Sequence, residues 1–571
     1  MLLMRFPCRG YHDLYLLGGP ECTTFQEAAR MQGLLDDERE YSDSLVEAHS
    51  FMTGYRLRSF FVMLCSIGAP AFSLWEQHKD LLSEDLFEGE ENRERAYQVA
   101  LIQIDRGLRR QGSSVVDHGL PEVEDLMTEL GREQVGYDRT ASANYVAEWL
   151  PRLSAEQRSV FDYVCALVEG SEDAPENNGM FLDAPGGSGK SLLGSVLAAH
   201  FRSKGLIVLC VASSGIAASV YVCGITAHSM FRFPLSLDDD RGVWGITNGS
   251  QRAELVRAAH LIIYDEVSMA HRFLIEMLDR GLRDLCDQTK VFGGKPVLLA
   301  GDFRQLAPVV RGAETANEIC AVSLKSSHIW PALHKMALTV GQRCTDAVYS
   351  NFVLEVGDGT AVEHTLPDLS AGERVIALTG IEHVPTVSAL IQSVFPDELL
   401  DDPDECAGRA VLAPHLVNVR SVNDTILESL SGIDEPQYSA DALDAEEREL
   451  GNEFFDMDTL NQACESGVPP HVLHLKVGAV CVIIRNLNFE EGLLNGTKVI
   501  IVEIGQRLII VRRPGSQVRF GIPRIIFKFP VFPRSEFMMS RRAYPLQLAY
   551  AMSIHKAQSQ TINKCAVDLR S

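Results

Sequence analysis

The sequence predicts a mixed α/β protein built around a phosphate-binding loop, and three observations carry that prediction. A glycine-rich turn sits between an apolar strand and a helical segment in MFLDAPGGSGKSLLGSVLAAH (Met180–His200). Apolar strands alternate with helical segments from 180 to 310, as in a parallel sheet crossed over by helices. A run of strands broken by Asn-Gly and Gly turns follows at 475–530, the pattern of a small β-barrel.

Residues 1–145 are expected to be mostly helical, in stretches such as TFQEAARMQGLL and YRLRSFFVMLCSI. The longest apolar run, Phe60–Phe72, is broken by Gly68 and Pro70, too short to cross a bilayer, and predicts a buried helix. The N-terminal MLLMRFPCRG lacks the apolar core of a signal peptide. LSAEQRSVFDYV (Leu153–Val164) opens a helix with Ser154 as N-cap and Gln157 at the third helical position. Gln157 is a capping glutamine on the plainer reading and a reader of the adenine edge on the functional one. SEDAPENNG (Ser171–Gly179) is a polar loop.

In the loop itself, Ala184, Pro185, Gly186, Gly187, Ser188 and Gly189 lead into Lys190 and Ser191 at the helix start. Glycines let successive backbone N–H groups curl around an anion, and the helix N-terminus adds a positive dipole end. Lys190 then reaches the β- and γ-phosphates and Ser191 ligates Mg²⁺. Ala184 stands where the pattern asks for glycine.

LIIYDEVSM (Leu261–Met269) is the second half of the signal: an apolar strand ending in Asp265 and Glu266. Asp265 suits Mg²⁺ held through water, and Glu266 suits a base for attacking water. Such a pair favours ATP hydrolysis over transfer to a small molecule. In VLLAGDFRQLAPV, a third strand leads to Gln305, placed for the γ-phosphate or simply a loop glutamine. ALTVGQRC puts Arg343 after an apolar strand, where an arginine stabilises charge on a transferring phosphate. VASSGIAASV and CGITAHSMF supply Ser213, Ser214, Thr226 and His228, as helix caps or as contacts to strand phosphates.

Further on, RAVLAP is a strand, Val417–Leu430 a helix, and DDPDE and SADALDAEERELGNE acidic loops. QLAYAMSIHKAQSQT is expected to resume helical character before a last strand, CAVDL.

Composition is that of an ordinary soluble protein, 46% hydrophobic and 23% charged over 571 residues, enough for two to four domains. The thirteen cysteines form no C-x-x-C pair, which argues for a reducing compartment and against a zinc site. Net charge is −25, unevenly spread: residues 346–470 hold 4 basic and 26 acidic residues, residues 471–571 hold 15 and 5. Arg512, Arg513, Arg519, Arg524, Lys528, Arg534, Arg541 and Arg542 make most of that basic block, which suits a polyanion partner or a solvated face.

Taken together, DAPGGSGKS, VASSGIAAS, GITAHSMF, LIIYDEVSM, GDFRQLAPV, Gln342-Arg343, LKVGAVCVIIRNL with GLLNGT, and YPLQLAYAMSIHKAQSQT resemble superfamily-1B DNA helicases of the petite-integration-frequency family. Within it the chain is similar to the helicase region of Helitron-type transposon proteins, which TFQEAARMQGLLDDEREY, FSLWEQHKDLLSEDL and VVDHGLP also resemble. The resemblance implies two RecA-like domains with ATP and Mg²⁺ between them, single-stranded or forked DNA as partner, no membrane, and 5′→3′ unwinding. It also implies an intracellular site of action, the nucleus first and the mitochondrion second. It gives Gln157, Lys190, Ser191, Asp265, Glu266, Gln305 and Arg343 the ATP roles, and Ser213, Thr226, His228, His555, Lys556 and Gln558 the DNA roles. The expected domains are 1–148 (helical), 149–345 (first RecA-like) and 346–571 (second, with a β-barrel insert at about 472–535).

Two departures shape the expectations. The sequence stops at CAVDLRS, before the family's final arginine motif, which sets a nucleotide- and DNA-binding remnant without unwinding as the alternative. No His-hydrophobe-His motif precedes the motor, so no strand nicking is expected. A P-loop enzyme of another class, such as a small-molecule kinase, is opposed by the Asp265-Glu266 pair and the basic block.

Overall fold

The computed structural model describes residues 39–87, 93–123, 128–135, 137–170, 178–234, 242–308, 310, 315–342, 346–364, 375–377, 381–444, 455–532, 535–558 and 560–570, with Tyr15, Cys22, Thr24, Phe25 and Ala28. The chain divides into two compact units, Asp125–His383 and Met1–Glu124 with Val384–Ser571. The boundaries expected after residues 148 and 345 do not coincide with these. Helix Arg139–Trp149 packs on helix Lys190–Ser203, with Tyr145 and Trp149 against the same core. Helix Ala347–Asp358 is tied back to the first unit by Arg304 Nε donating to Asp358 Oδ1 at 2.8 Å.

Asp125–His383 is built on six parallel strands: β1 (Gly179–Asp183), β2 (Val208–Ala212), β3 (Ile225–Thr226), β4 (Leu261–Asp265), β5 (Val297–Gly301) and β6 (His334–Ala337). Their order is β3-β2-β4-β5-β1-β6. The inner strands are apolar along their length because helices cover both faces. Alternate side chains go to opposite cores: Phe181, Leu209, Val211, Ile262 and Tyr264 to one, Met180, Leu182, Val208, Cys210 and Ile263 to the other. Helix Lys190–Ser203 buries Leu193, Val196, Leu197 and Phe201 in the second core. Register pairs Asp183 with Gly301 and Ala212 with Asp265, so the polar strand ends meet at one edge of the sheet.

The second unit joins N-terminal helices to a β-rich body. Helices Glu40–His49, Gly54–Ser66, Ala71–Ser83 and Arg93–Arg110 share one core with the strands that follow. Phe60 to Cys65 are buried, so the long apolar run is a core helix. β7 (Arg409–Ala413) lies between two strands parallel to it, Ala551–Ser553 and Lys564–Val567, with helix Leu416–Ser429 packed alongside. Antiparallel strands β8 (Ala440–Leu443), β9 (Val480–Ile483), β10 (Lys498–Ile504), β11 (Leu508–Arg512), β12 (Arg519–Pro523), β13 (Ile525–Pro530), β14 (Met538–Ala543) and β15 (Leu546–Leu548) fill the stretch between. They form the sheets β12-β11-β10-β9-β15 and β8-β14-β13.

Three expectations are corrected here. QLAYAMSIHKAQSQT is not mainly helical: β15 pairs with β9, Ala551–Ser553 pairs with β7, and the helix is only Ile554–Ala557. Within the acidic SADALD, Ala440–Leu443 is a strand paired with β14, while 445–454 lie outside the described residues. In DDPDE, Asp402 caps a short helix, Pro403–Ala407. Among the described residues, no helix is long and apolar enough to cross a membrane.

Candidate nucleotide site

The C-terminal ends of β1, β2, β4 and β5 converge on the loop between β1 and helix Lys190–Ser203, the edge where open α/β sheets bind ligands. Gly187 and Gly189 both have φ of +82°, the left-handed region that favours glycine. A Cβ on Gly189 would also lie 2.4 Å from Gln157 Nε2. Ala184 has no such requirement. It is buried, and its N–H donates to Gly301 O at 3.0 Å. Alanine therefore serves where the motif usually has glycine.

Lys190 Nζ lies 2.9 Å from Asp265 Oδ1 and 3.1 Å from Glu266 Oε1. Burial pulls the Lys190 pKa down, but the two carboxylates outweigh it and leave the ammonium held above its ordinary value. Burial is also the main cause that raises the Glu266 carboxyl, with Lys190 opposing and Asp265 adding to the rise. Ser191 Oγ donates to Asp265 Oδ2 at 3.4 Å. Glu266 itself has φ +54°, a conformation that costs an L-residue about 1 kcal/mol. It is held there because its N–H donates to Asp265 Oδ1 at 2.8 Å and its carbonyl accepts from Ser213 Oγ at 2.8 Å.

Gln157 satisfies the capping box: Ser154 N donates to its Oε1 at 2.9 Å, and Gln157 N donates to Ser154 Oγ at 3.2 Å. Its Nε2 also donates to Ser188 O in the loop at 3.0 Å. Gln305 Nε2 donates to Asp302 Oδ2 at 3.1 Å, and Gly186 N donates to the same oxygen at 3.2 Å. Gln342 N donates to Gly187 O at 2.7 Å, while Arg343 lies outside the described residues.

One unit therefore brings together Gln157, Pro185 to Ser191, Asp265, Glu266 and Gln305. Ser213 is also there, its hydroxyl spent on Glu266. Thr226 caps helix Ala227–Phe231 by accepting from Ser229 N, the plainer of its two readings. His228 is half-buried beside Phe233, and burial lowers its pKa. His555, Lys556 and Gln558 belong to the other unit. His555 is exposed, while Lys556 Nζ donates to Gln547 Oε1 at 2.6 Å.

Sequence reasoning missed three residues. Buried Asp302 anchors both Gly186 and Gln305. Arg304 grips both oxygens of Asp183 at 3.1 and 3.2 Å, bracing the strand that feeds the loop. Tyr221 Oη donates to Asp265 Oδ2 at 2.7 Å. Asp302 carried a readable signal, an acid at the end of an apolar strand, the same that marks Asp265. Tyr221 carried none.

The site fits a nucleotide with its metal. Ser188 Oγ and Glu266 Oε2 are buried with no hydrogen-bond partner among the described residues. An anchored lysine, a hydroxyl beside a carboxylate and a second carboxylate meet at one glycine cradle.

This fold is a mixed α/β architecture of the P-loop type with two RecA-like domains. A model of the PIF1-like helicase family matches residues 152–366, and a model of the 2B domain of DNA helicase Pif1 matches residues 458–504. Over those residues the chain is similar to the PIF1-like helicase family. It is 28% identical over 447 residues to the ATP-dependent DNA helicase PIF1 of Danio rerio, covering 73% of this chain and 57% of that one. Against the Homo sapiens protein of the same name it is 26% identical over 439 residues, with the same coverage. The chain thus spans little more than half the length of these relatives. The crystal structure of Bacteroides Pif1 bound to ssDNA has a TM-score of 0.50 at 20% identity, covering 73% of this chain and 85% of that one. At that identity the likeness is one of fold.

Proposed function

We propose that the chain is an ATP-dependent DNA helicase that moves 5′→3′ on single-stranded DNA and unwinds duplex. The observation that carries the reading is Lys190 resting on Asp265 and Glu266 inside a glycine cradle. A lysine already paired with acids is placed to exchange them for phosphates, which frees Glu266 as a proton acceptor. The names of the matched relatives support DNA as the substrate, and the resemblance of the motifs supports the direction.

In this reading Lys190 binds the β- and γ-phosphates. Ser191 and Asp265 hold Mg²⁺, which supplies charge neutralisation on the phosphates when bound. Glu266 takes the proton of the attacking water, and Gln305, anchored by Asp302, orients on the γ-phosphate. Gln157 steadies the loop through Ser188. Arg343 is assigned the transition-state charge. His228, His555, Lys556 and Gln558 are assigned to the DNA strand, with Ser213 and Thr226 as supports of the turns that present it. A DNA substrate sets the work inside the cell, and the nucleus is the compartment assigned.

The test is ATP hydrolysis with and without single-stranded DNA, with Lys190→Ala as control, followed by unwinding of duplexes tailed at 5′ or 3′. The expected result is DNA-stimulated hydrolysis lost in Lys190→Ala, and unwinding of the 5′-tailed duplex alone. Equal rates in parent and variant would sink the loop assignment. Unwinding from the 3′ tail would reverse the direction.

A further inference from the structure

Asp265 receives four donors, and they divide between its two oxygens. Oδ1 faces Glu266 N at 2.8 Å and Lys190 Nζ at 2.9 Å. Oδ2 faces Ser191 Oγ at 3.4 Å and Tyr221 Oη at 2.7 Å. Tyr221 is the closer and better-held partner of that oxygen. It follows the short helix Gly215–Ser219 after β2, with its N–H on Ala218 O at 3.1 Å and its carbonyl accepting from Gly224 N at 2.9 Å. Its ring lies against the nucleotide-loop helix at Gly194, where a Cβ would come within 2.8 Å of ring and hydroxyl. Only 4% of the residue is exposed.

A carboxylate turns easily about its last bond, because that torsion is broad. Lys190 helps to fix Asp265. Once Lys190 leaves for the phosphates, as the proposed function requires, that restraint is gone at the moment a metal must be held. The Tyr221 hydroxyl remains. It has no part in the phosphate chemistry, and its backbone is anchored on another strand's turn.

We propose that Tyr221 is a positioning residue for Asp265, fixing the carboxylate so that it and Ser191 present a preset pair of oxygens to the divalent metal of a bound nucleotide. Partners that orient a metal-binding carboxylate commonly change metal affinity by tenfold or more. The inference rests on the nucleotide-site reading and adds a residue to it. If the hydroxyl served only to satisfy a buried carboxylate, its loss would change folding stability and leave metal affinity alone.

The test uses the full chain and its Tyr221→Phe variant, which keeps the ring under Gly194. Mn²⁺ binding is followed by electron paramagnetic resonance with ADP present, ADP binding is measured in EDTA, and thermal melting is recorded. The expected result is a Mn²⁺ midpoint raised about tenfold with metal-free ADP binding unchanged. Gly194→Ala, whose Cβ would press on the ring and hydroxyl of Tyr221, shifts the Mn²⁺ midpoint in the same direction and serves if Tyr221→Phe does not fold. Equal Mn²⁺ midpoints in parent and variants overturn the inference and leave the nucleotide site standing. An equal loss of metal-free ADP binding also overturns it, making Tyr221 a packing residue of the loop. A parent chain that holds no Mn²⁺ with ADP overturns the nucleotide-site reading, and the role of Tyr221 with it.

Discussion

Glu266 is the residue at which local strain and proposed chemistry meet. It sits in the left-handed region without being glycine, pinned by Asp265 on one side and Ser213 on the other. Backbone strain of this kind persists only where the surroundings over-determine it. It directs the side chain to Lys190, and burial raises its pKa, which suits a group that must accept a proton. Glu266→Gln keeps shape and hydrogen bonding but not basicity. The expected outcome is ATP binding within a few-fold of the parent and turnover lower by at least about 10²-fold. Equilibrium binding of a fluorescent ATP analogue and steady-state hydrolysis check the two halves. Loss of ATP binding itself would contradict the role of base. The same residue shows what a sequence can reveal. Asp265 and Glu266 were legible because an apolar strand ending in two acids is a local pattern. Tyr221 was not, because its partner lies 44 residues away in sequence and only the fold sets the distance.

At the scale of elements, the strands and helices around the loop were legible because each is apolar over its whole length or at helical spacing. The region after Pro545 is mostly strand where its sequence predicts helix. Its small alternating residues satisfy either period, and pairing of β15 with β9 and of Ala551–Ser553 with β7 decides the outcome. Asn423 shows the same dependence on tertiary context: its amide caps the strand by donating to Ala551 O at 3.0 Å and accepting from Ala551 N at 2.8 Å. Helix packing carries a testable pH effect. Helix Glu129–Val135 lies on helix Gln251–Ala258, with Glu129 on Arg252 Nε at 2.7 Å. Desolvation of the half-buried Glu133 of the same helix raises its pKa to about 7 against the opposing pull of Arg202 and Arg252. The folded state therefore holds a proton that the unfolded chain, near pH 4.5, releases. Stability contributed by that protonated carboxyl is full below the unfolded value and falls as pH rises toward 7. Glu133→Gln removes this slope. Relative to the parent, the variant gains stability from pH 5 to pH 8, read as urea midpoints at the two values. Parallel midpoints would mean that Glu133 titrates normally.

At the scale of the whole chain, charge balance changes meaning once the fold is known. The C-terminal basic block suggested either a polyanion-binding face or a solvated one, yet much of it is paired inside its own unit. Arg541 binds both oxygens of Asp441 at 2.9 and 2.8 Å, Arg512 binds Asp404, Lys528 binds Asp444, and the buried Glu40 lies between Arg524 and Arg542. The acids come from the N-terminal helices and from the acidic stretch before the barrel, so the uneven charge along the sequence is largely an instruction for folding. Removing one partner of such a buried pair costs about 3–5 kcal/mol, so Arg541 belongs to stability. Arg513 and Arg519 are different: both are exposed on the barrel, Arg513 within 5.8 Å of the Phe520 ring. If the barrel meets DNA, these two cations are available to phosphates. Arg513→Ala and Arg519→Ala should leave thermal melting unchanged and weaken single-strand binding without sequence preference. Each should also reduce the slope of log affinity against log salt by about 0.7. Fluorescence anisotropy of a labelled oligonucleotide over a salt series measures this. An unchanged slope in the double variant would remove the barrel from the DNA path and leave the strand contacts to the two parallel sheets.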